Sequence, residues 1–196
     1  FNATPDGTNG WFKTKPAPIF VNTMDLPAGG LVKNITCTLN GNPFLSVSAG
    51  ATTANVNVEG TNTLSCTATD LANNVGGPTS ITVKIDSVAP VVTGVVSPPA
   101  TAQGWNSTDA SVTFSCADPA PSSGLTTNTI VTSATNLTSE TAGTNVSSSG
   151  SCIDDAGNAA AQGNVLVKID KTAPVISSTI SPSPNAAGWN NSDVTV

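Results

Sequence analysis

Apolar residues alternate with polar ones in short runs along the whole chain, and Gly, Pro, Asn and Ser separate the runs. Residues 164–169, for example, place Val165, Val167 and Ile169 on one side of an extended segment. Alternation with a period of two is typical of a strand with one buried face. The runs predict strands over residues 19–23, 35–39, 54–58, 63–69, 81–85, 91–96, 111–116, 128–132 and 164–169, with another strand ending in residues 151–154.

Short sequential strands favour an all-β fold of immunoglobulin-like β-sandwich domains, since turns follow every ~8–12 residues and no run of useful length has the period of a helix. Asn40-Gly41 lies between two of the runs and is a strong signal for a two-residue hairpin.

One short stretch occurs twice and gives the chain its period. Residues 83–90 read Val-Lys-Ile-Asp-Ser-Val-Ala-Pro and residues 167–174 read Val-Lys-Ile-Asp-Lys-Thr-Ala-Pro, so the offset between their aspartates is 170 − 86 = 84 residues. We therefore predict a linear array of a first repeat over residues 1–86, whose first strand is incomplete, a second over 87–170, and the truncated start of a third over 171–196. Because both ends fall within a repeat, we expect the chain to be part of a longer one.

Tryptophan marks a second repeated position. Gly-Trp pairs end at Trp11, Trp105 and Trp189, with spacings of 105 − 11 = 94 and 189 − 105 = 84 residues. The first repeat thus carries about ten extra residues, which alignment places in a loop near residues 26–33. Each Trp is expected to plug the bottom corner of a sandwich, because lone aromatic residues usually pack into cores.

Composition excludes several classes of function. The net charge is −6 and the basic residues are six lysines without arginine, which argues against nucleic-acid binding. The chain has no histidine, so the Ser-His-Asp and Cys-His nucleophile systems and imidazole zinc sites are excluded. No apolar run reaches membrane-spanning length, so direct membrane insertion is not expected. We expect a protein that is not an enzyme.

Four cysteines fall two to a repeat. One bridge within each repeat is the simplest of the three pairings, joining Cys37 to Cys66 and Cys116 to Cys152. The two bridges would not occupy equivalent positions, because Cys116 lies on the strand after Trp105, whereas Cys37 lies one strand later in its own repeat. Disulfides indicate an oxidising, extracellular setting. The alternative is four reduced cysteines in the cores.

Several motifs point to a family. Residues 188–196 (Gly-Trp-Asn-Asn-Ser-Asp-Val-Thr-Val), residues 155–158 (Asp-Ala-Gly-Asn) and residues 167–174 resemble the tandem immunoglobulin-like repeats of large prokaryotic cell-surface proteins. In the first repeat, Asp-Ala-Gly-Asn is replaced by Leu-Ala-Asn-Asn over residues 71–74. The resemblance implies tandem sandwiches at the cell surface, and such repeats serve as adhesin stalks, sheath components or enzyme spacers.

Four aspartates are predicted to meet at the link between repeats. In an immunoglobulin-like sandwich, Asp118, Asp154 and Asp155 would lie in loops at the top of the second repeat, beside Asp86 in the linker. This arrangement resembles the calcium-stiffened joints of cadherins and of some bacterial adhesins, and carboxylates with loop carbonyls supply the oxygen ligands that Ca²⁺ takes. The competing interpretation is that these aspartates only form structural turns.

Asn-x-Ser/Thr sequons are candidate sites for N-glycosylation, although a chain this rich in Asn, Ser and Thr contains several by chance. Their asparagines are Asn2, Asn34, Asn106, Asn136, Asn145 and Asn190.

The leading hypothesis is a structural module of an extracellular protein, acting as a rigid spacer or as a building block of a surface filament, sheath or adhesin stalk. Its partners would be neighbouring repeats of the same chain, and copies that self-assemble. The alternatives are a carbohydrate- or protein-binding module, which exposed indoles would favour, and a spacer of a secreted enzyme, which an adjoining catalytic domain would reveal.

Overall fold

The computed structural model describes residues 1–25 and 31–195. No α-helix occurs in them, and the all-β prediction is confirmed. The strands are β1 (Trp11–Phe12), β2 (Ala17–Asn22), β3 (Val32–Leu39), β4 (Asn42–Val47), β5 (Ala51–Val56), β6 (Gly60–Asp70), β7 (Val75–Ile85), β8 (Val91–Ser97), β9 (Ala110–Ala117), β10 (Leu125–Asn128), β11 (Thr135–Leu137), β12 (Thr141–Ser147), β13 (Cys152–Asp154) and β14 (Asn164–Ile169).

The first repeat is a sandwich of a five-stranded sheet, in the order β1-β7-β6-β3-β4, and a two-stranded sheet of β2 and β5. Its core forms where the alternating apolar side chains of the two sheets meet, with Ile19 and Val56 from the smaller sheet packed against Ile35, Leu64 and Ile85 from the larger. All five side chains are fully buried. The hydrophobic effect therefore holds the sheets together through the faces that the alternation predicts.

The Asn40-Gly41 hairpin is confirmed. It joins β3 to β4, and both residues have positive φ angles, 51° and 81°, as the favoured two-residue turn requires. The sequence predicts the ten extra residues of this repeat near residues 26–33. Residues 26–30 lie outside the described part of the chain, and Val32 and Lys33 belong to β3.

The second repeat has smaller sheets: β11-β9-β8, β12-β14 and β10-β13. Val112 and Phe114 of β9 pack with Val146 of β12 and with Val167 and Ile169 of β14. The C-terminal segment, residues 171–195, contributes no side chain to either core, and residues 171–189 are all exposed.

The strand predicted over residues 128–132 is wrong. Only Asn128 of that range is in a strand, as the last residue of β10. Its side-chain Oδ1 accepts a hydrogen bond from the backbone N–H of Ile130 at 3.3 Å. The N–H groups of Thr129 and Val131 still donate to the carbonyls of Ser151 and Ser149, so the segment runs beside residues 149–151 without forming a regular ladder. A short polar side chain that bonds to the backbone two residues on favours a turn over a strand.

Candidate cation site at the joint between repeats

The joint, residues 86–90, begins where β7 ends. The backbone N–H of Asp86 donates to the carbonyl of Phe12 at 2.8 Å, which fixes Asp86 to the lower end of the first repeat. Its Oδ1 accepts from the N–H of Val88 at 3.2 Å, so the chain turns directly after the strand. Asp86 is fully buried although it carries an ionisable group. A buried carboxylate needs partners, and the second repeat supplies them.

The upper end of the second repeat receives this carboxylate. The N–H of Ser123 donates to Asp86 Oδ2 at 2.7 Å. The side chain of Asn158 donates through Nδ2 to the carbonyl oxygen of Asp86 at 2.9 Å and to Oδ2 of Asp154 at 2.7 Å. Asn158 therefore links the linker backbone to the last residue of β13. Sequence reasoning treated it only as part of a turn.

Asp118 completes a cluster of three carboxylates. One oxygen from each of Asp86, Asp118 and Asp154 lies within 4.8 Å of the other two. Asp118 Oδ2 accepts from the N–H of Gly124 at 2.9 Å, while its Oδ1 is buried and has no hydrogen-bond partner among residues 1–25 and 31–195. Burial raises the pKa of Asp118, and the negative charges of Asp86 and Asp154 raise it further. Within the described part of the chain, the cluster thus lacks a compensating positive charge and Asp118 Oδ1 lacks a hydrogen-bond donor.

The ligand atoms of the cluster suit a hard divalent cation. All the available ligand atoms are oxygens, which is the set that Ca²⁺ takes in six- to eightfold coordination and Mg²⁺ in sixfold coordination. A cation bound by the three carboxylates would supply the positive charge that is missing beside Asp118. Asp86 comes from the first repeat and the other two from the second, so such an ion would join both repeats.

Asp155 lies outside the cluster, contrary to the predicted set of four. Its Oδ1 accepts from Asn9 Nδ2 at 2.6 Å, and its carbonyl accepts from Thr8 Oγ1 at 2.6 Å. The side chain turns towards the lower loop of the first repeat because a donor is available there. Thr8 N–H also donates to the carbonyl of Ala156 at 2.9 Å. Asp155 is therefore a contact between repeats and not a member of the acidic cluster.

Gly7 permits the close approach of these loops. A Cβ atom built on Gly7 would lie 2.5 Å from the carbonyl oxygen of Ala156, closer than van der Waals contact allows. Any side chain at this position would push the second repeat away.

A glutamate holds the linker on its other side, and sequence reasoning missed it. Glu59 accepts hydrogen bonds from the backbone N–H and the hydroxyl of Ser87 and forms an ion pair with Lys15 at 2.7 Å. Burial alone would raise the pKa of Glu59, but these partners outweigh it and lower the pKa. Glu140 makes the equivalent contact after the second repeat, accepting from the N–H of Lys171 at 2.8 Å and from Thr172 Oγ1 at 2.7 Å.

Both disulfides form within their own repeat, as predicted. Cys37 and Cys66 lie opposite each other on the neighbouring strands β3 and β6, whereas Cys116 and Cys152 join β9 to β13, which belong to different sheets. Two disulfides are compatible with an extracellular or secreted protein. Over the residues described, no helix has the length and apolarity to cross a membrane.

The tryptophans of the two repeats lie under lysines. Lys84 Nζ is 5.6 Å from the centre of the Trp11 ring, and Lys168 Nζ is 5.6 Å from that of Trp105. Trp11 is buried and Trp105 half-buried, whereas Trp189 is 74% exposed. The sequence analysis missed this pairing, although Lys84 and Lys168 lie at the same position of the repeated stretches 83–90 and 167–174.

The sequon asparagines differ in accessibility. Asn106 is buried, and its Nδ2 donates to the carbonyl of Pro98 at 2.8 Å, so the folded chain offers no nitrogen for a glycan there. Asn190 uses its Nδ2 in the same way, on Pro182 at 2.6 Å. Asn34 is half-buried, and the exposed sequon asparagines are Asn2, Asn136 and Asn145.

Comparisons with known proteins add little to this geometry. No protein-family model matches the chain, and no curated protein matches it. Among solved structures, the chain is similar to fibronectin(III)-like modules of CbhA from Clostridium thermocellum. That alignment has a TM-score of 0.37 and 10% sequence identity and covers 86% of this chain and 93% of the other.

Proposed function

We propose that the chain is a structural repeat module of an extracellular surface protein, in which a cation-bridged joint fixes each immunoglobulin-like repeat to the next. One observation carries the proposal: Asp86 is fully buried between the repeats and is bonded to both. A flexible linker would keep its polar groups exposed to water. An ordered, buried contact such as this one restricts motion between the repeats. The module therefore acts as a rigid spacer or building block of a stalk, filament or sheath.

The cation part of the proposal is supported by the three-carboxylate cluster and by the orphaned Oδ1 of Asp118. Ca²⁺ is the expected ion, since an irregular set of carboxylate and loop oxygens matches its flexible coordination better than the strict octahedron of Mg²⁺. The expected result is that CaCl2 raises the melting temperature of the chain and that a chelator reverses the rise.

A matched pair of variants tests the assignment. Asp154→Asn should abolish the calcium-dependent rise in melting temperature, while Asp155→Asn should retain it, because only Asp154 belongs to the cluster. Loss of the calcium effect in both variants, or in neither, would contradict the proposed site.

Rigidity is tested by small-angle X-ray scattering of the full chain with calcium. We expect a narrow distribution of interatomic distances that broadens in Asn9→Ala, which loses its bond to Asp155. Gln103→Ala is the control, since Gln103 lies at the matching position in the lower loop of the second repeat, away from this joint. Equal profiles for all three chains would argue against a joint fixed by the loop contact.

The carbohydrate-binding alternative finds less support. Trp11 is buried, and the rings of Trp11 and Trp105 each have a lysine over them. Aromatic sugar platforms need an exposed ring face, which is found only at Trp189 among the three.

A further inference from the structure

We propose that Asn9 is a site of spontaneous covalent modification, at which the side chain closes a ring onto the backbone nitrogen of Gly10, loses ammonia and thereby releases a contact between the repeats irreversibly. The inference rests on the proposed function, since it concerns the same joint. It goes beyond that function because it identifies a chemical event that changes the joint after folding. The reactants are the chain itself and water.

Asn9 and Gly10 are the central residues of an exposed two-residue turn. The N–H of Trp11 donates to the carbonyl of Thr8 at 2.9 Å, and the φ angles of Asn9 and Gly10 are 52° and 80°. A Cβ atom built on Gly10 would have no heavy atom within 4 Å in the described part of the chain, apart from its sequence neighbours. Ring closure is least hindered when glycine follows asparagine, because glycine has no side chain beside its nitrogen.

The reaction needs neither an oxidant nor a cofactor. The backbone nitrogen of Gly10 gives up its proton and bonds to Cγ of Asn9, while the Cγ–Nδ2 bond breaks and ammonia leaves with that proton. Water then opens the five-membered imide at one of its two carbonyls. The products are an aspartate, or an isoaspartate in which the backbone runs through the side chain. Both products carry a carboxylate where the amide was.

The amide group that is lost is a contact between the two repeats. Asn9 Nδ2 donates to Asp155 Oδ1 at 2.6 Å and lies 3.4 Å from the carbonyl oxygen of the same residue. An ionised carboxylate in its place has no proton to donate, and it brings a second negative charge close to Asp155. The two loops would then repel each other. Because the ammonia has left, closing the joint again does not restore the bond.

The chain contains a second Asn-Gly turn of the same shape, Asn40-Gly41, with φ angles of 51° and 81°. Asn40 is held within the first repeat, since its Oδ1 accepts from the N–H of Thr63 at 2.8 Å and its Nδ2 donates to Oδ1 of Asn62 at 2.8 Å. Freeing Asn40 therefore requires the sandwich to open, whereas freeing Asn9 requires only the joint to open. The state of the joint should control the reaction at Asn9 alone.

The first experiment measures both reactions in one sample of the folded chain, kept in mildly alkaline buffer. Trypsin releases residues 1–13 with Asn9 and residues 34–84 with Asn40, and tandem mass spectrometry locates the altered asparagine. We expect Asn9 to react faster than Asn40. Asp155→Ala should accelerate the reaction at Asn9 roughly 10-fold, because it removes the acceptor that restrains the amide, and should leave Asn40 unchanged. Equal rates at the two sites, or no acceleration in Asp155→Ala, would overturn the proposal.

The second experiment tests whether the product opens the joint. Asn9→Asp supplies one product directly, and small-angle X-ray scattering of this variant should show a broader distribution of interatomic distances than the freshly prepared wild type. Asp155→Asn alone should keep the narrow distribution, since its amide oxygen still accepts from Asn9. Combining the two substitutions places an amide donor opposite the new carboxylate and should narrow the distribution again.

Two scattering results contradict different statements. A narrow distribution that persists in Asn9→Asp would overturn this inference and leave the rigid joint intact. A wild-type chain with a broad distribution from the start would contradict the rigid joint of the proposed function and, with it, this inference. The calcium response of Asp154→Asn, measured by melting temperature, reports on the cation site alone.

Discussion

The two repeats share one pattern of strands but are held together differently. In the first, the Cys37–Cys66 bridge joins neighbouring strands of a five-stranded sheet, where backbone hydrogen bonds already connect them. In the second, the Cys116–Cys152 bridge joins strands of two small sheets. The second core is also the smaller of the two. The cross-link between sheets thus occurs in the second repeat, where hydrophobic packing alone contributes less stability.

The largest expected effect comes from removing the bridges one at a time. Loop entropy assigns about 3.6 kcal/mol to closing the 29-residue separation and about 3.8 kcal/mol to the 36-residue one. Because the second repeat has the smaller core, Cys116→Ala with Cys152→Ala should unfold it, while Cys37→Ala with Cys66→Ala should leave a weakened but folded first repeat. Denaturation is followed by tryptophan fluorescence in variants that keep only Trp11 or only Trp105, which reports on the unfolding of each repeat separately. A larger loss in the first repeat would reverse the comparison.

Lowering the pH should change the stability of the joint in opposite directions with and without calcium. The raised pKa of Asp118, above its ordinary 3.8, means that the folded joint favours the neutral acid. Without calcium, joint stability should therefore rise as the pH falls towards that pKa and decrease as the pH rises through it. With calcium, stability should fall on acidification, because protonation removes a ligand. Melting temperatures measured in chelator and in CaCl2 over the same series of pH values test whether the two pH dependences have opposite signs. Parallel curves would argue against a cation at Asp118.

Two asparagines at equivalent positions should differ in importance. Asn158 bonds to Asp154 and to the linker carbonyl of Asp86, whereas the bonds of Asn74 that the described residues show go to Asp70 of its own turn. Asn158→Ala should lower the free energy of unfolding by about 2 kcal/mol, since it leaves buried acceptors unpaired. Asn74→Ala should cost less. Chemical denaturation of both variants measures the difference, and equal losses would mean that the linker bond contributes nothing.

The smallest effect is expected at the lysines over the tryptophans. Lys84→Met and Lys168→Met keep the apolar stem and remove the charge above the ring. The loss should be about 0.5–1 kcal/mol, larger for Lys84 because Trp11 is the more buried ring. The same denaturation experiment applies, and no change in either variant would reduce these pairs to packing contacts.

Much of the fold follows from the sequence because burial and alternation coincide. β2 and β9 have their buried residues at every second position, as their sequences predict. β12 was missed because Val146 is its one buried apolar residue, so its pairing with β14 leaves little trace in the pattern. The hairpin strand β4 was missed for the same reason, since none of its residues is fully buried.

The candidate site was only partly within reach of the sequence. Chain topology places loop ends, so Asp86, Asp118 and Asp154 were expected near one another. Side-chain direction at a turn depends on which donor lies nearby, and Asn9 decided it for Asp155. The bond from Asn158 to the linker spans 72 residues and has no local signature.

The two disulfides also decide how the chain would lengthen when it is pulled from both ends. Chain between bridged cysteines cannot extend, so the bridges of 29 and 36 residues withhold about 100 and 120 Å of extended length. A surface fibre made of such repeats would yield only in the remaining segments under the drag of flowing water and would stop at a fixed length. Bridge position would then set how far the fibre stretches, independently of how stably each repeat folds.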